Sequence, residues 1–225
     1  MNFLPNPYGI SSVGLENFLP ENVSVASIII PDLIKLKECA KKAGFNLHIE
    51  SAYRSFDKQL SIWNRKASGE LPLLDKTGKK INTPIADPET LMQTILFWSL
   101  LPGCSRHHFG TDIDVVDANS IPENYEVQLT PEECNTLFSK FHSWLSDTIE
   151  SNRSFGFSRV FIHSKGLVQE ELWHLSHLPT AKKIQEKFSE TELTQILEKS
   201  SLACKEVVLS HLDFILDNYV YPYFI

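Results

Sequence analysis

The stretch SRHHFGTDIDVVD, residues 105–117, carries the clearest structural pattern in the chain. In its second half Ile113 separates Asp112 from Asp114, so that polar and apolar residues alternate. Side chains of a strand point to opposite faces in turn, and the alternation therefore predicts a strand with both aspartates on one face. Gly110 stands just before this segment, and glycine permits the turn by which a loop enters a strand. The sequence thus gathers histidines and carboxylates at the start of a strand.

Helix and strand patterns are interleaved on both sides of this stretch. Helices are indicated by apolar spacing or by capping residues near Pro31, over residues 56–67, from Asp87–Pro88 and from the capping box Thr130–Glu133. Strand patterns recur at residues 45–49, 160–166 and 171–178. Because the strands are few and short, we predict an α+β fold with a small, mostly antiparallel sheet and flanking helices.

The length of 225 residues is sufficient for one substantial hydrophobic core. We predict a single domain over residues 1–225, with a core at about 30–178 and a C-terminal helical extension at about 179–225. Residues 1–30 are punctuated by prolines and are expected to form an irregular arm on the domain. Residues 70–86 are polar and turn-rich, which predicts a surface loop or a small hairpin.

Charge and hydropathy exclude several classes of function. The chain has 21 basic and 28 acidic residues, a formal net charge of −7, whereas nucleic-acid binders usually carry a basic face. The most apolar run, residues 95–101, is far shorter than the roughly 18 residues of a membrane span. The N-terminal residues 1–12 lack the basic start and apolar core of a signal peptide, so the compartment stays open. The oligomeric state is open as well.

Polar residues with catalytic potential are concentrated in three stretches: residues 105–114, residues 170–174, and residues 51–55 with Gln59 a turn later. A catalytic zinc ion typically takes three imidazole or carboxylate ligands and leaves one position for water. The metal lowers the pKa of that water towards about 7, and a nearby carboxylate takes its proton. Glu171 lies three residues before His174, close enough to reach such a water while His174 binds the metal.

Spacing alone leaves rival residues for each of these roles. The rival pairs are His107 with His108, Asp112 with Asp114, Glu170 with Glu171, and His174 with His177. His108 would point away from His107 in an extended chain, whereas the two aspartates share a face. An isolated arginine such as Arg54 is most often a surface charge or part of a structural ion pair.

At these residues the sequence resembles the zinc D-Ala-D-Ala carboxypeptidases and dipeptidases of the VanY and VanX type. That family carries the pattern SxHxxGxAxD, followed some tens of residues later by ExWH. The two patterns are matched by Ser105, His107, Gly110 and Asp114, and by Glu171, Trp173 and His174. The segment SAYRS, residues 51–55, is similar to the family's SGYRS and is followed by Gln59. The resemblance covers roughly residues 45–178.

The resemblance implies a compact α+β zinc peptidase that hydrolyses the D-alanyl end of peptidoglycan stem peptides, as a DD- or LD-carboxypeptidase. It implies a periplasmic or cell-envelope location. The roles that it implies are His107, Asp114 and His174 as zinc ligands, Glu171 as the base, and Arg54 facing the substrate. We expect further substrate contacts from Gln59, Ser105, Asp112 and Trp173.

The sequence departs from the family pattern at two positions. Asp112 replaces the small residue expected two before the metal aspartate, and it either supports a ligand from behind or faces the substrate. Leu172 stands where proline is common. The role of Arg54 is also open, between stabilising the oxyanion and binding the substrate carboxylate.

Two other readings of the sequence compete with a peptidase. The first is a catalytically inactive, zinc-containing domain that binds the cell wall or a partner. Such a domain needs no base beside the water, so the presence of Glu171 argues against it. The second is a structural α+β domain in which the histidines and aspartates satisfy one another.

Overall fold

A computed structural model describes residues 3–162 and 165–225. Its strands are β1 (Leu15–Phe18), β2 (Val23–Ala26), β3 (Leu47–Ser51), β4 (Leu73–Leu74), β5 (Lys80–Ile81), β6 (Asp112–Asp117), β7 (Phe157–Ser158) and β8 (His174–His177). Its α-helices are α1 (Ile30–Lys42), α2 (Phe56–Ala67), α3 (Pro88–Leu96), α4 (Pro131–Asn135), α5 (Ser139–Glu150), α6 (Leu178–Gln185), α7 (Glu190–Lys199), α8 (Lys205–Ser210) and α9 (Leu212–Ile215). Short 3-10 turns lie at Ser27–Ile29, Arg106–Phe109, Ala118–Ser120 and Tyr221–Tyr223, and a π-helical segment follows α9 at Leu216–Val220.

The central sheet has the strand order β3-β6-β8-β7, with every neighbouring pair antiparallel. This arrangement, with helices around a small antiparallel sheet, confirms the predicted α+β class. On one face of the sheet, the buried side chains of Ile49, Ile113 and Leu175 pack in a common core with α1 and α5. The strand that carries both aspartates is therefore fixed in the middle of the sheet.

The helix starts follow the capping residues of the sequence. Ser55 caps α2 by accepting a hydrogen bond from the backbone of Lys58, so the segment SAYRS links the end of β3 to this helix. Asp87 caps α3 in the same way. The capping box of Thr130 and Glu133 starts α4 as predicted, and after a short break the chain continues as α5.

Two predicted elements differ from the structure. The N-terminal arm contains the antiparallel ribbon of β1 and β2, which contacts the loop before β6 through a hydrogen bond from Ala26 N to Gly110 O of 2.8 Å. The expected strand at residues 160–166 is not formed over its described part, and residues 163 and 164 lie outside the described residues. Val160 and Phe161 are instead buried as core residues of an irregular segment, so their apolar character reflects burial without strand pairing.

The C-terminal segment shares a hydrophobic core with α2 and α3. Trp63 and Ile95 pack in one cluster with Leu193, Leu212 and Leu216. The segment after residue 178 is helical, as predicted. It packs into the same core as α2 and α3, the helices that precede β6. None of the helices in the described part of the chain combines the length and apolar character that a membrane-spanning segment requires.

We predict that Leu216→Ala lowers the free energy of unfolding by about 2–5 kcal/mol, because it leaves a cavity in this shared core. Leu216 is 0% exposed, whereas Phe214 in the same helical run is 41% exposed. The matched variant Phe214→Ala should cost no more than about 1 kcal/mol. Chemical denaturation measures both, and equal losses would contradict this packing.

Candidate metal centre

Strand pairing places two of the predicted ligands side by side. In the pair of β6 and β8, Asp114 lies directly opposite His174, and Asp112 lies opposite Ser176. The Cβ atoms of directly opposed residues are about 5 Å apart, so their side chains can meet on one face of the sheet. The Nδ1 atom of His174 lies 3.1 Å from the Oδ1 atom of Asp114.

His107 reaches the same face from the 3-10 turn before β6. Its Nδ1 atom donates to the carbonyl oxygen of Ala52 over 2.8 Å, and its own carbonyl accepts from the backbone N–H of Arg54 over 3.1 Å. These bonds leave Nε2 of the ring to face Asp114, at 3.3 Å from Oδ2. The segment SAYRS therefore positions His107 by its backbone.

Gly110 closes this turn in the left-handed region, with φ of 65°. A Cβ atom at this position would lie 2.6 Å from Cδ2 of Leu15 and 3.0 Å from the backbone nitrogen of Ala26. Both the conformation and the close approach of the β1–β2 ribbon therefore require glycine here.

His107, Asp114 and His174 form a buried cluster that can hold a metal ion. Each offers one ligand atom, and these atoms lie within 4.8 Å of one another. Two imidazoles and one carboxylate are a donor set found in catalytic zinc sites. The residues present thus fit a divalent metal ion.

The charges within this cluster are strongly coupled. Burial alone would raise the pKa of Asp114, but His107 and His174 hold it well below its usual range. Burial alone would lower the pKa of His174, but Asp112 and Asp114 outweigh it and raise the pKa to about 9. The carboxylates of this cluster therefore favour a positively charged group or ion at its centre.

Asp112 lies behind His174 and is 0% exposed. It accepts hydrogen bonds from Nε2 of His174 at 3.0 Å, Nε of Arg106 at 2.7 Å, Oγ1 of Thr111 at 2.6 Å and Oγ of Ser176 at 3.1 Å. The bond to Nε2 orients the ring so that Nδ1 faces the cluster. Of the two roles expected for Asp112, the geometry favours support of His174 from behind, because its carboxylate is bonded to these four donors and does not line the cavity beside the cluster.

The rival histidines have other structural partners. Nε2 of His108 accepts from the backbone of Gly103 at 3.0 Å, and its Nδ1 donates to the carbonyl of Arg54 at 2.6 Å. Burial lowers the pKa of His108 to about 3, so its ring is neutral. His177 follows His174 by three residues in a strand and so points to the other face, where it lies 3.3 Å from Asp32.

Glu171 faces the cluster, whereas Glu170 lies in a separate cleft beside Trp98 and Trp173. The Oε2 atom of Glu171 lies 3.7 Å from Nδ1 of His174, and its side chain is 13% exposed. Burial raises the pKa of Glu171 to about 7, although the charge of His174 opposes the rise. Geometry therefore favours Glu171 over Glu170 for proton transfer.

A cavity of about 270 Å³ opens onto the cluster. Three of the residues expected to contact substrate, Arg54, Ser105 and Trp173, line it together with Glu171. Its size suits a small terminal group, since pockets for whole drug-sized ligands begin at about 300 Å³.

Gln59 supports Arg54 and does not line this cavity. It is buried, its Oε1 accepts from Nη1 of Arg54 at 2.9 Å, and its Nε2 donates to the carbonyl of Leu100 at 2.6 Å. Nη2 of Arg54 lies 3.4 Å from Oγ of Ser51. The structure thus places Gln59 where it orients the guanidinium group, and its predicted contact with substrate stays a prediction.

Sequence reasoning missed three further residues of this region. Trp98 stacks on Trp173 with ring centroids 6.4 Å apart, and Lys66 lines the cavity from α2. Arg106 is buried beside Asp112. Lys66 follows Gln59 by seven residues, a spacing that puts both on one face of a helix, and this was the available signal for it.

Comparison with known proteins defines the class of this chain. A histidine and aspartate cluster with a buried glutamate beside it is typical of metal-dependent hydrolases. The family model described as "VanY: D-alanyl-D-alanine carboxypeptidase" matches residues 22–180. The chain belongs to this family, which confirms the resemblance drawn from its motifs, and it is accordingly a peptidase by family.

Solved structures share the fold. The structure of VanYB in complex with D-alanine-D-alanine aligns with a TM-score of 0.52 and 20% identity, over 86% of this chain and 96% of that chain. A VanY D,D-pentapeptidase from a VanB-type resistance cassette, in complex with Zn(II), aligns with a TM-score of 0.51 and 19% identity, over 91% and 93%. An uncharacterized protein of Haemophilus influenzae is 29% identical over 124 residues, which are 53% of this chain and 92% of that protein.

We predict that Asp112→Asn lowers the affinity for a divalent metal ion by about 10- to 100-fold, because His174 loses the carboxylate that orients its ring. His107→Ala, which removes a ligand atom, should abolish binding in the same assay. Competition with a chromophoric chelator measures both, with thermal unfolding followed in parallel. Asp147→Asn, on the exposed face of α5, is the matched control and should bind as the wild type does.

Proposed function

We propose that this protein is a zinc-dependent peptidase that hydrolyses the D-alanyl end of peptidoglycan stem peptides, as a DD- or LD-carboxypeptidase. The observation that carries the proposal is the carboxylate of Glu171 in the same small cavity as His107, Asp114 and His174. Family membership supports the D-alanyl substrate, and the related structures with D-alanine-D-alanine and with Zn(II) support the peptide and the metal.

His107, Asp114 and His174 are the residues that would hold zinc. When bound, zinc supplies a Lewis acid that polarises a carbonyl and lowers the pKa of water. Asp112 and the carbonyl of Ala52 keep the two imidazole rings turned so that one nitrogen of each faces the cluster. The protein thus prepares the ligand atoms before any metal arrives, which reduces the reorganisation that binding requires.

Glu171 is proposed as the group that moves protons. It lies beside the cluster and can accept a proton from the attacking water, then donate that proton to the leaving amine. General acid–base catalysis of this kind contributes about 10²- to 10⁴-fold to the rate. The apolar walls around Glu171, including Phe161 and Val168, limit its hydration and keep the proton between the carboxylate and the reacting atoms.

Arg54 is proposed to stabilise the negative charge that develops on the carbonyl oxygen. Gln59 and Ser51 fix its guanidinium group, and Asp114 and Glu171 are its electrostatic neighbours. A cation held in place before the reaction loses little energy to reorganisation in the transition state. Ser105 and Trp173 line the same cavity and are proposed to contact the substrate.

Defined stem peptides test the activity directly. We expect the zinc-loaded protein to remove one D-alanine from peptides ending in D-Ala-D-Ala or in a single D-Ala, as read by mass spectrometry. The peptide that loses mass distinguishes a DD- from an LD-carboxypeptidase, and release of a dipeptide would identify a dipeptidase. A peptide ending in L-alanine is the control. No change in any peptide would favour the inactive, wall-binding alternative.

We predict that Glu171→Ala lowers turnover of the cleaved peptide by at least about 10²-fold and retains its zinc. The carboxylate transfers protons but is not needed to hold the metal in this proposal. Zinc content by atomic spectroscopy and turnover by mass are the two measurements. The neighbouring variant Glu170→Ala is the matched control, and a loss as large as that of Glu171→Ala would contradict the assignment.

A further inference from the structure

Lys66 stands in the cavity without a role in the mechanism above. It follows Ile62 by four residues on the same face of α2, and both side chains line the cavity. Its ammonium group donates to Oγ of Ser99 over 2.6 Å. The charge is therefore held at a defined place on the cavity wall.

No carboxylate within the described residues lies at ion-pair distance from this ammonium group. Its charged neighbours are Arg54, which repels it, and Glu171, which attracts it. Burial, aided by Arg54, lowers the pKa of Lys66 to about 8, so the amine keeps its proton at neutral pH. A half-buried cation with no counter-ion on a small cavity creates a site for an anionic group.

Arg54 and Lys66 differ in the groups on which their charges act. Arg54 bonds to the backbone of His107, and its charge acts on Asp114 and Glu171. The electrostatic neighbours of Lys66 are Arg54 and Glu171. The cavity is therefore lined by two cations, Arg54, whose charge acts on Asp114 of the cluster, and Lys66, whose charge acts on Arg54 and Glu171.

We propose that Lys66 binds the C-terminal carboxylate of the peptide substrate, and that Arg54 serves the carbonyl under attack. This inference rests on the proposed function. In a peptide, the terminal carboxylate is separated from the last peptide carbonyl only by the leaving nitrogen and one α carbon. It therefore belongs at the second cation of the cavity, and the apolar Ile62 and Leu74, which line the same cavity, suit the small methyl group of alanine.

Such an arrangement makes the enzyme a strict carboxypeptidase. When a C-terminal amide or a longer peptide fills the cavity, it would shield Lys66 from water without giving it an anionic partner, which is unfavourable in free energy. The selection would act on binding of the terminal residue and leave the proton transfers at Glu171 unchanged. Arg54 would then stabilise the oxyanion, and Lys66 would bind the substrate carboxylate.

The test uses the zinc-loaded protein and compares two peptides that are identical except that one ends in a free carboxylate and the other in a carboxamide. We expect wild type to cleave the acid with a kcat/KM about 10- to 100-fold above that of the amide. Lys66→Met should remove this preference by lowering kcat/KM for the acid, mainly through KM, with the amide unaffected. Lys66→Arg keeps the charge and should keep the preference.

Two further variants separate binding from structure. Lys58→Met changes an exposed lysine of the same helix and should match wild type. Ser99→Ala leaves the ammonium group in the cavity and should retain most of the preference. If Ser99→Ala and Lys66→Arg both lose the preference although each keeps a positive charge at position 66, that charge does not read the carboxylate, and the proposal is wrong.

The wild-type protein alone can overturn the inference, whatever the variants do. Equal cleavage of acid and amide would show that no group reads the carboxylate, while the proposed peptidase function would stand. Cleavage of neither peptide, together with none of the stem peptides, would instead remove the proposed function on which the inference rests. Persistence of the preference in a folded, zinc-containing Lys66→Met variant would assign carboxylate recognition to another residue.

Discussion

The register between β6 and β8 is the constraint on which the candidate site depends. It sets Asp114 opposite His174 and Asp112 opposite Ser176. A slip by one residue would turn each of these side chains to the opposite face of the sheet. The same slip would bring the buried Ile113 out of the core, so hydrophobic burial resists it. The free energy that packs the core therefore also selects the positions of the ligand atoms.

Besides the strand register, the buried ion pair of Arg106 and Asp112 constrains the position of His174. Taking two charges out of water costs several kcal/mol, and such a pair persists only where its remaining hydrogen bonds are made. Here Arg106 donates to Asp112, to Oγ of Ser176 at 2.8 Å and to the carbonyl of Tyr223 at 2.9 Å. Asp112 in turn accepts from His174. The pair is thus fully bonded, and its geometric effect is to fix the ring of His174.

Local chemistry in the sequence accounts for much of the fold, since Asp87 predicts the start of α3 and alternation around Ile113 predicts β6. Local sequence could not show which of Asp112 and Asp114 is the metal ligand, because both lie on one face of β6. The difference comes from β8, which places Ser176 opposite Asp112 and His174 opposite Asp114. Long-range packing also explains why the described part of residues 160–166 forms no strand. Phe161 is buried with its ring 4.7 Å from that of His174, a contact that alternation cannot encode.

The end of the C-terminal extension, called the tail below, contacts residues of the site, although the family model matches the chain only as far as residue 180. The carbonyl of Tyr223 accepts from Arg106, and its ring lies 5.0 Å from that of Phe161. Arg106 holds Asp112 behind His174, while Phe161 packs against the imidazole itself. The tail therefore supports His174 along two routes, one polar and one apolar. Because both routes end on a buried side chain with few alternative positions, packing of the extension and orientation of this histidine are physically coupled.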